Sequence, residues 1–195
     1  MINMMESILG EQWHELPPAL QAHYKTGNST EIGHLDIEYP RFMQPYLSLM
    51  RCFGALINRQ GKQLATQVDK RSADEKVYWH RSIRYPDTKV VHFDSIWQLT
   101  PENHIIEFVN SLLGLQMVPE VKQGKMHYRG ICFVMKLGRW LLPIPEWLVL
   151  GHTTIVEEAI DDTHFAMDFR LTHPLLGQLF RYSGVFSTVS DEIRP

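Results

Sequence analysis

Apolar and polar residues alternate most cleanly near the C-terminal end of the chain. Over residues 164–171 the apolar set is Phe165, Met167, Phe169 and Leu171, and over 178–186 Phe180, Tyr182 and Phe186 fall on one side. Successive side chains of a strand point to opposite faces, so this period of two predicts a half-buried antiparallel pair. Between the runs, Pro174 cannot donate to a ladder and Gly177 tolerates positive φ, which marks a turn. Further strands are expected at 30–39, 63–68 paired with 76–85, 90–99, 104–110, 113–118, 125–137 and 153–160. A polar turn over 70–75, Pro86-Asp87, Pro101-Glu102-Asn103, Gln123-Gly124 and Asp161-Asp162 separate them.

The N-terminal part has a different period. Met5, Ile8, Leu9, Trp13 and Leu16 recur at helical spacing before Pro17-Pro18, and Pro18 suits the first turn of a second helix ending near Gly27. Phe42, Tyr46, Leu49, Phe53 and Leu56 form one stripe of an amphipathic helix of about four turns, whose expected role is core packing. No helix–strand alternation of the parallel type occurs. The fold class is therefore α+β, mainly antiparallel β. We expect a curved sheet closing toward a barrel, lipocalin-like or helix-grip-like, with one or two N-terminal helices over an end. Residues 1–195 read as a single domain, partly helical over 1–60 and antiparallel sheet over 61–189.

Composition narrows the partners. A net charge of -3 with scattered basic residues offers no basic face for nucleic acid. Two cysteines, Cys52 and Cys132, cannot build a disulfide framework, and the first residues lack the basic-then-apolar pattern of a secretory leader, so the expected compartment is the cytoplasm. No run approaches the roughly 20 apolar residues of a transmembrane helix. The most apolar stretch, 140–150, contains Pro143 and Pro145. It suits a plug, a lid, an interface or a membrane-surface contact, with plug or lid expected, and a short helix after Pro145 would put Glu146 in its first turn.

Candidate chemistry centres on Arg81. In a regular strand it shares a face with Trp79, so an inward Trp79 makes Arg81 an inward cation that needs a partner. Glu107 and Glu158, each on an apolar strand, are the candidate partners. The site predicted from this pattern is an apolar pocket lined by Trp79, Phe165, Phe169 and Tyr182, with Arg81, Glu107 and Glu158 at its polar end. The ten histidines show no metal-ligand spacing, and no metal or cofactor is expected. Asp161-Asp162 reads as a turn, and Cys132 as an inert core thiol.

Several pieces in order resemble an uncharacterised bacterial family, domain of unknown function four-one-six-six. They are Leu16-Pro17-Pro18-Ala19-Leu20 with His23 and Gly27; the run from Val77 to Ile83; Ile106-Glu107-Phe108; the block around Pro143-Ile144-Pro145; Glu158 with Phe165; and His173-Pro174-Leu175-Leu176-Gly177 followed by Arg181-Tyr182-Ser183-Gly184. The resemblance spans nearly the whole chain. It implies a stand-alone module or an appendage of NAD(P)-binding oxidoreductase domains, hence an oxidoreductase partner, and it transfers no catalytic residue. Gly-x-Gly-x-x-Gly is absent here, so the resemblance implies no dinucleotide binding by this chain. The function expected is binding of a small apolar or amphipathic ligand. The alternatives are a cofactor-independent enzyme using a His or Glu acid–base group, and a protein-interaction domain using 140–150.

Overall fold

The computed structural model describes residues 3–189. Its strands are β1 (Ser29–Glu38), β2 (Gly61–Ala73), β3 (Lys76–Arg84), β4 (Val90–Leu99), β5 (Ile105–Phe108), β6 (Leu113–Lys122), β7 (Lys125–Leu137), β8 (Trp140–Pro145), β9 (His152–Ala159), β10 (His164–His173) and β11 (Gly177–Val189). The order β6-β5-β4-β3-β2-β1-β11-β10-β9-β7-β8, with β6 also paired to β7, closes ten strands into an antiparallel barrel and leaves β8 as the extra strand. The first and last strands make the closing seam, from Thr30 opposite Val189 to Glu38 opposite Arg181.

Local chemistry sets most of these elements. The β2–β3 and β6–β7 hairpins turn on Asp74-Glu75 and Gln123-Gly124, with positive φ at both central residues, the backbone that a two-residue turn demands of right-twisted strands. The polar stretch expected as a turn over 70–75 is therefore mostly strand, and β2 runs on to Ala73. Strands β4 and β7 occupy the predicted residues 90–99 and 125–137.

The short helices divide between the two ends. Helix α1 (Met4–Leu9), capped by Asn3, passes into a 3₁₀ turn over Gly10–Glu15, so the expected single helix is two pieces. Helix α2 (Pro18–Tyr24) starts on Pro18 as predicted. These cover the upper end, with the β2–β3, β4–β5, β6–β7 and β9–β10 turns. The lower end carries helix α3 (Gln44–Cys52) and the β3–β4, β5–β6, β7–β8 and β10–β11 turns.

Two expectations about the lower end are overturned. Of the predicted stripe, Tyr46 packs against the core and Leu56 is buried, but Phe42, Leu49 and Phe53 face outward, Phe42 at 59% exposure, while Met43 and Leu47 are buried in their place. The helix is short and apolar on more than one side, so periodicity found a stripe but not the one turned to the barrel. Residues 140–150 are not a buried plug: β8 pairs only with β7 and is mostly exposed, and helix α4 (Glu146–Val149) follows it outside the barrel. Pro143 and Pro145 are tolerated because one side of β8 is a free edge. As expected, Glu146 sits in the first turn of α4; there its Oε1 accepts from Thr153 N at 3.0 Å and its Oε2 lies 2.6 Å from His152 Nδ1.

Candidate functional site

Alternation along the barrel strands turns an unusual number of charges inward. On β3, Trp79 is buried and Arg81 half-buried on the same inner face, as the strand period predicted. Arg81 Nη1 donates to Ser95 Oγ at 2.9 Å, Ser95 Oγ donates to Glu107 Oε1 at 2.6 Å, and Arg81 Nη2 lies 3.4 Å from the same oxygen. Arg81 thus has the partner expected for it, Glu107, bridged by a serine from β4. Its guanidinium also lies 5.8 Å from the Trp79 ring and 5.5 Å from that of Phe93.

Glu158 is a correction. It points outward and pairs with Lys125 Nζ at 2.8 Å. The inward residues of β9 are Thr153, Ile155 and Glu157, so the interior carboxylate is Glu157. The phase of β9 was ambiguous in sequence because Val156 and Ile160 offered an apolar face as convincing as that of Ile155. One residue of phase exchanges every side chain between faces.

Glu157 belongs to a second polar cluster that sequence reasoning missed. Tyr24 of α2 donates its hydroxyl to Glu157, and Tyr128 donates to Tyr24 Oη at 2.6 Å. His23 Nδ1 contacts Glu31, which is 2% exposed, and His23 Nε2 lies 3.8 Å from Glu157. The His23 ring stacks on Trp79 at 5.2 Å and packs against Phe165 at 4.5 Å. Burial pushes the Glu157 carboxyl above its usual range, and His23 opposes the shift. Burial likewise raises the Tyr128 and Tyr182 phenols. Lys70, inward on β2, donates to His23 O at 2.5 Å and Lys25 O at 2.7 Å; burial lowers its ammonium to about 8 against the pull of Glu31. The alternation Leu64, Thr66, Val68, Lys70 carried a signal for Lys70, whereas nothing local marks His23, which reaches the interior from a helix.

Space is distributed unevenly. The mid-barrel volume bounded by Trp79, Arg81, Glu107, Phe165 and Tyr182 is about 40 Å³, little more than one water occupies. The interior expected as a continuous pocket is thus reduced to this small volume. Phe169 lies outside it, stacked on Tyr182 at 4.7 Å in the core. A chamber of about 540 Å³ lies at the upper end, between α1, Tyr24, Thr26 and the tops of β2, β3 and β4, and a shallower, more open hollow of about 530 Å³ lies at the lower end beside Tyr39, Gln60 and Gln178. The chamber's apolar wall includes Met4, Met5, Val77 and Leu99, Lys70 lies at one side, and the exposed Asp74 and Glu75 stand at its rim. Trp79 and Trp97 line both the chamber and the small polar interior, and neither indole N–H has a hydrogen-bond acceptor among the described residues.

On the outer face, His80 Nδ1 lies 2.5 Å from Asp94 and His80 Nε2 lies 3.3 Å from Ser82 Oγ. This is the order of a hydrolytic triad. However, β3 is paired on both sides here, so the ladders engage backbone amides that could otherwise hold an oxyanion. Among the described residues no group of three or more His, Cys, Asp or Glu side chains is arranged to hold a metal. Nor is any described helix long and apolar enough to cross a membrane.

The family model described as Domain of unknown function (DUF4166) matches residues 16–186. No curated protein sequence matches. A solved structure titled REP1-NXSQ fatty acid transporter aligns over 84% of this chain and 95% of its own at 10% identity, with a TM-score of 0.31. A score that low carries no inference about what this barrel holds.

Proposed function

The chain belongs to the DUF4166 family, and from that premise, which names no activity, we propose that it binds a small amphipathic molecule in the upper chamber. The observation that carries the reading is the chamber of about 540 Å³ itself, walled by apolar side chains with the buried Lys70 at one side. That volume lies in the range of small-molecule sites. Lys70 supplies a donor, since two carbonyls occupy only two of its ammonium hydrogens. The apolar body of the ligand rests on Met4, Met5, Val77 and Leu99, and its acceptor-bearing head, a carboxylate or carbonyl, meets Lys70.

Titration calorimetry with dodecanoate and dodecane tests this reading. Dodecanoate should bind, dodecane should not, and Val77→Trp, which fills the chamber from a half-buried wall position, should abolish binding without unfolding the barrel. Equal heats from wild type and Val77→Trp, or none from either ligand, would refute it.

A second reading, acid–base catalysis without a cofactor, has one observation in its favour. Tyr24 lines the chamber and donates to Glu157, so a proton path joins the chamber to a carboxyl already raised by burial. This reading requires chemical turnover of whatever is bound, and recovery of every bound compound unchanged after prolonged incubation would exclude it.

A further inference from the structure

The lower end of the barrel carries an apolar projection that no part of the chamber explains. Trp140 and Leu142 on β8, Trp147 and Leu148 on α4, and Leu175 and Leu176 in the β10–β11 turn are all exposed, Trp140 at 65% and Leu175 at 87%. These three segments are tied together rather than scattered. His173 Nε2 donates to Trp147 O at 3.2 Å, which fixes the β10–β11 turn against α4, and β8 runs directly into α4. Tyr46 donates to Val149 O at 3.3 Å, so α3 adjoins the C-terminal end of α4. Single exposed apolar residues need no explanation, but a contiguous exposed group of this size marks a docking surface.

Charge identifies what docks. Between residues 131 and 145 the only charged residues are Lys136 and Arg139, and Arg139 stands 5.4 Å from the Trp140 ring. The next acid in the sequence, Glu146, is buried and bonded to His152 and Thr153. Residues 172–178 contain no acid, lysine or arginine. Along these segments the projection therefore presents tryptophan and leucine, with Lys136 and Arg139 as the unburied charges. A second copy of the chain would bring like charges together. A partner adding a strand to the free edge of β8 would meet Pro143 and Pro145, which have no N–H to donate. An anionic bilayer answers both features: tryptophan partitions to the headgroup level, leucine enters the acyl boundary, and lysine and arginine meet lipid phosphates.

We propose that the lower end of this barrel docks on an anionic membrane surface through β8, α4 and the β10–β11 turn, independently of what the upper chamber binds. Flotation of the full chain with vesicles of phosphatidylcholine and phosphatidylglycerol in equal parts, against phosphatidylcholine alone, tests it. The chain should float with the mixed vesicles, and much less with the neutral ones or at high salt. Trp147→Glu combined with Leu175→Glu, two exposed positions, should abolish flotation while leaving the melting temperature and dodecanoate binding unchanged. Lys136→Glu with Arg139→Glu should weaken binding to the mixed vesicles by about tenfold or more, since each cation near an anionic surface contributes about 1 kcal/mol. The proposal is overturned if wild type floats with neither vesicle, if Trp147→Glu/Leu175→Glu floats as wild type does, or if those two changes instead abolish a concentration-dependent dimer.

Discussion

Arg81 and Glu107 show what an inward charge requires of its surroundings. Each is largely shielded from solvent, and Ser95 supplies the hydrogen bond that completes the pair. Arg81→Leu fills the volume but strands the carboxylate, and breaking such a pair costs roughly 3–5 kcal/mol. Arg81→Leu/Glu107→Gln should recover part of that loss in urea unfolding; additive losses would mean the two side chains are not coupled. Lys70 makes a separate, pH-dependent prediction. Its folded ammonium titrates near 8 and its ordinary value is 10.5, so between these the unfolded chain holds more protons. By linkage, this residue's contribution to stability rises with pH across that window, because the cost of burying a charge is removed as Lys70 deprotonates. Lys70→Met should flatten the slope over that window relative to wild type. Glu157 shifts the opposite way for the same cause. Its carboxyl is raised by burial, so ionising it costs stability as pH climbs from the ordinary carboxyl value through the raised one. Glu157→Gln should be more stable than wild type at neutral pH, and the two should converge in acid.

Among the elements, the junction of β8, α4 and β9 depends on one missing side chain. Strand β7 pairs with β9 up to Arg129 and with β8 from Cys132, and Gly130 lies in the gap. A Cβ on Gly130 would sit 1.9 Å from Glu146 Oε1, which places the glycine directly beneath the buried carboxylate that anchors α4. Gly130→Ala should displace that carboxylate and cost roughly 1–3 kcal/mol, as overpacking does. Proteolysis near Trp147 should accelerate with it, and an unchanged cleavage rate would show that Glu146 does not hold the helix. Helix α3 gives the complementary case. Leu47 is fully buried, so Leu47→Ala should cost roughly 2–5 kcal/mol. Leu49, two residues on, is exposed, and Leu49→Ser should stay within about 0.5 kcal/mol of wild type in thermal melts.

For the molecule as a whole, closure depends on pairing elements that lie at opposite ends of the sheet sequence. Gly33 of β1 faces Phe186 of β11 across the seam, and a Cβ there would meet Val185 O at 2.1 Å. Gly33→Ala should therefore open the barrel at the seam before it affects the β2–β3 hairpin. Hydrogen exchange should show amides of β1 and β11 losing protection while those of β3 and β4 keep theirs; uniform loss would mean the seam has no independent weakness. The same closure gives the molecule two unlike ends. One end holds a chamber over a charged interior, the other an apolar projection, and the packed middle separates them.

The sequence by itself determined the strands other than β8, most of the turns and the class of the fold, because alternation and turn chemistry act between near neighbours. It was enough to put Trp79 and Arg81 on one face and to name Glu107 as a partner. It also carried the family likeness over most of the chain, which residues 16–186 bear out. Only the tertiary structure decided which carboxylate of Glu157 and Glu158 is buried, which stripe of α3 meets the barrel, and that the space lies above Trp79 and Trp97 rather than between Arg81 and Phe169. Those outcomes depend on which face a distant strand or helix covers. Where both faces of a short element are apolar, nothing local breaks the tie, and the choice falls to the neighbours that closure brings together.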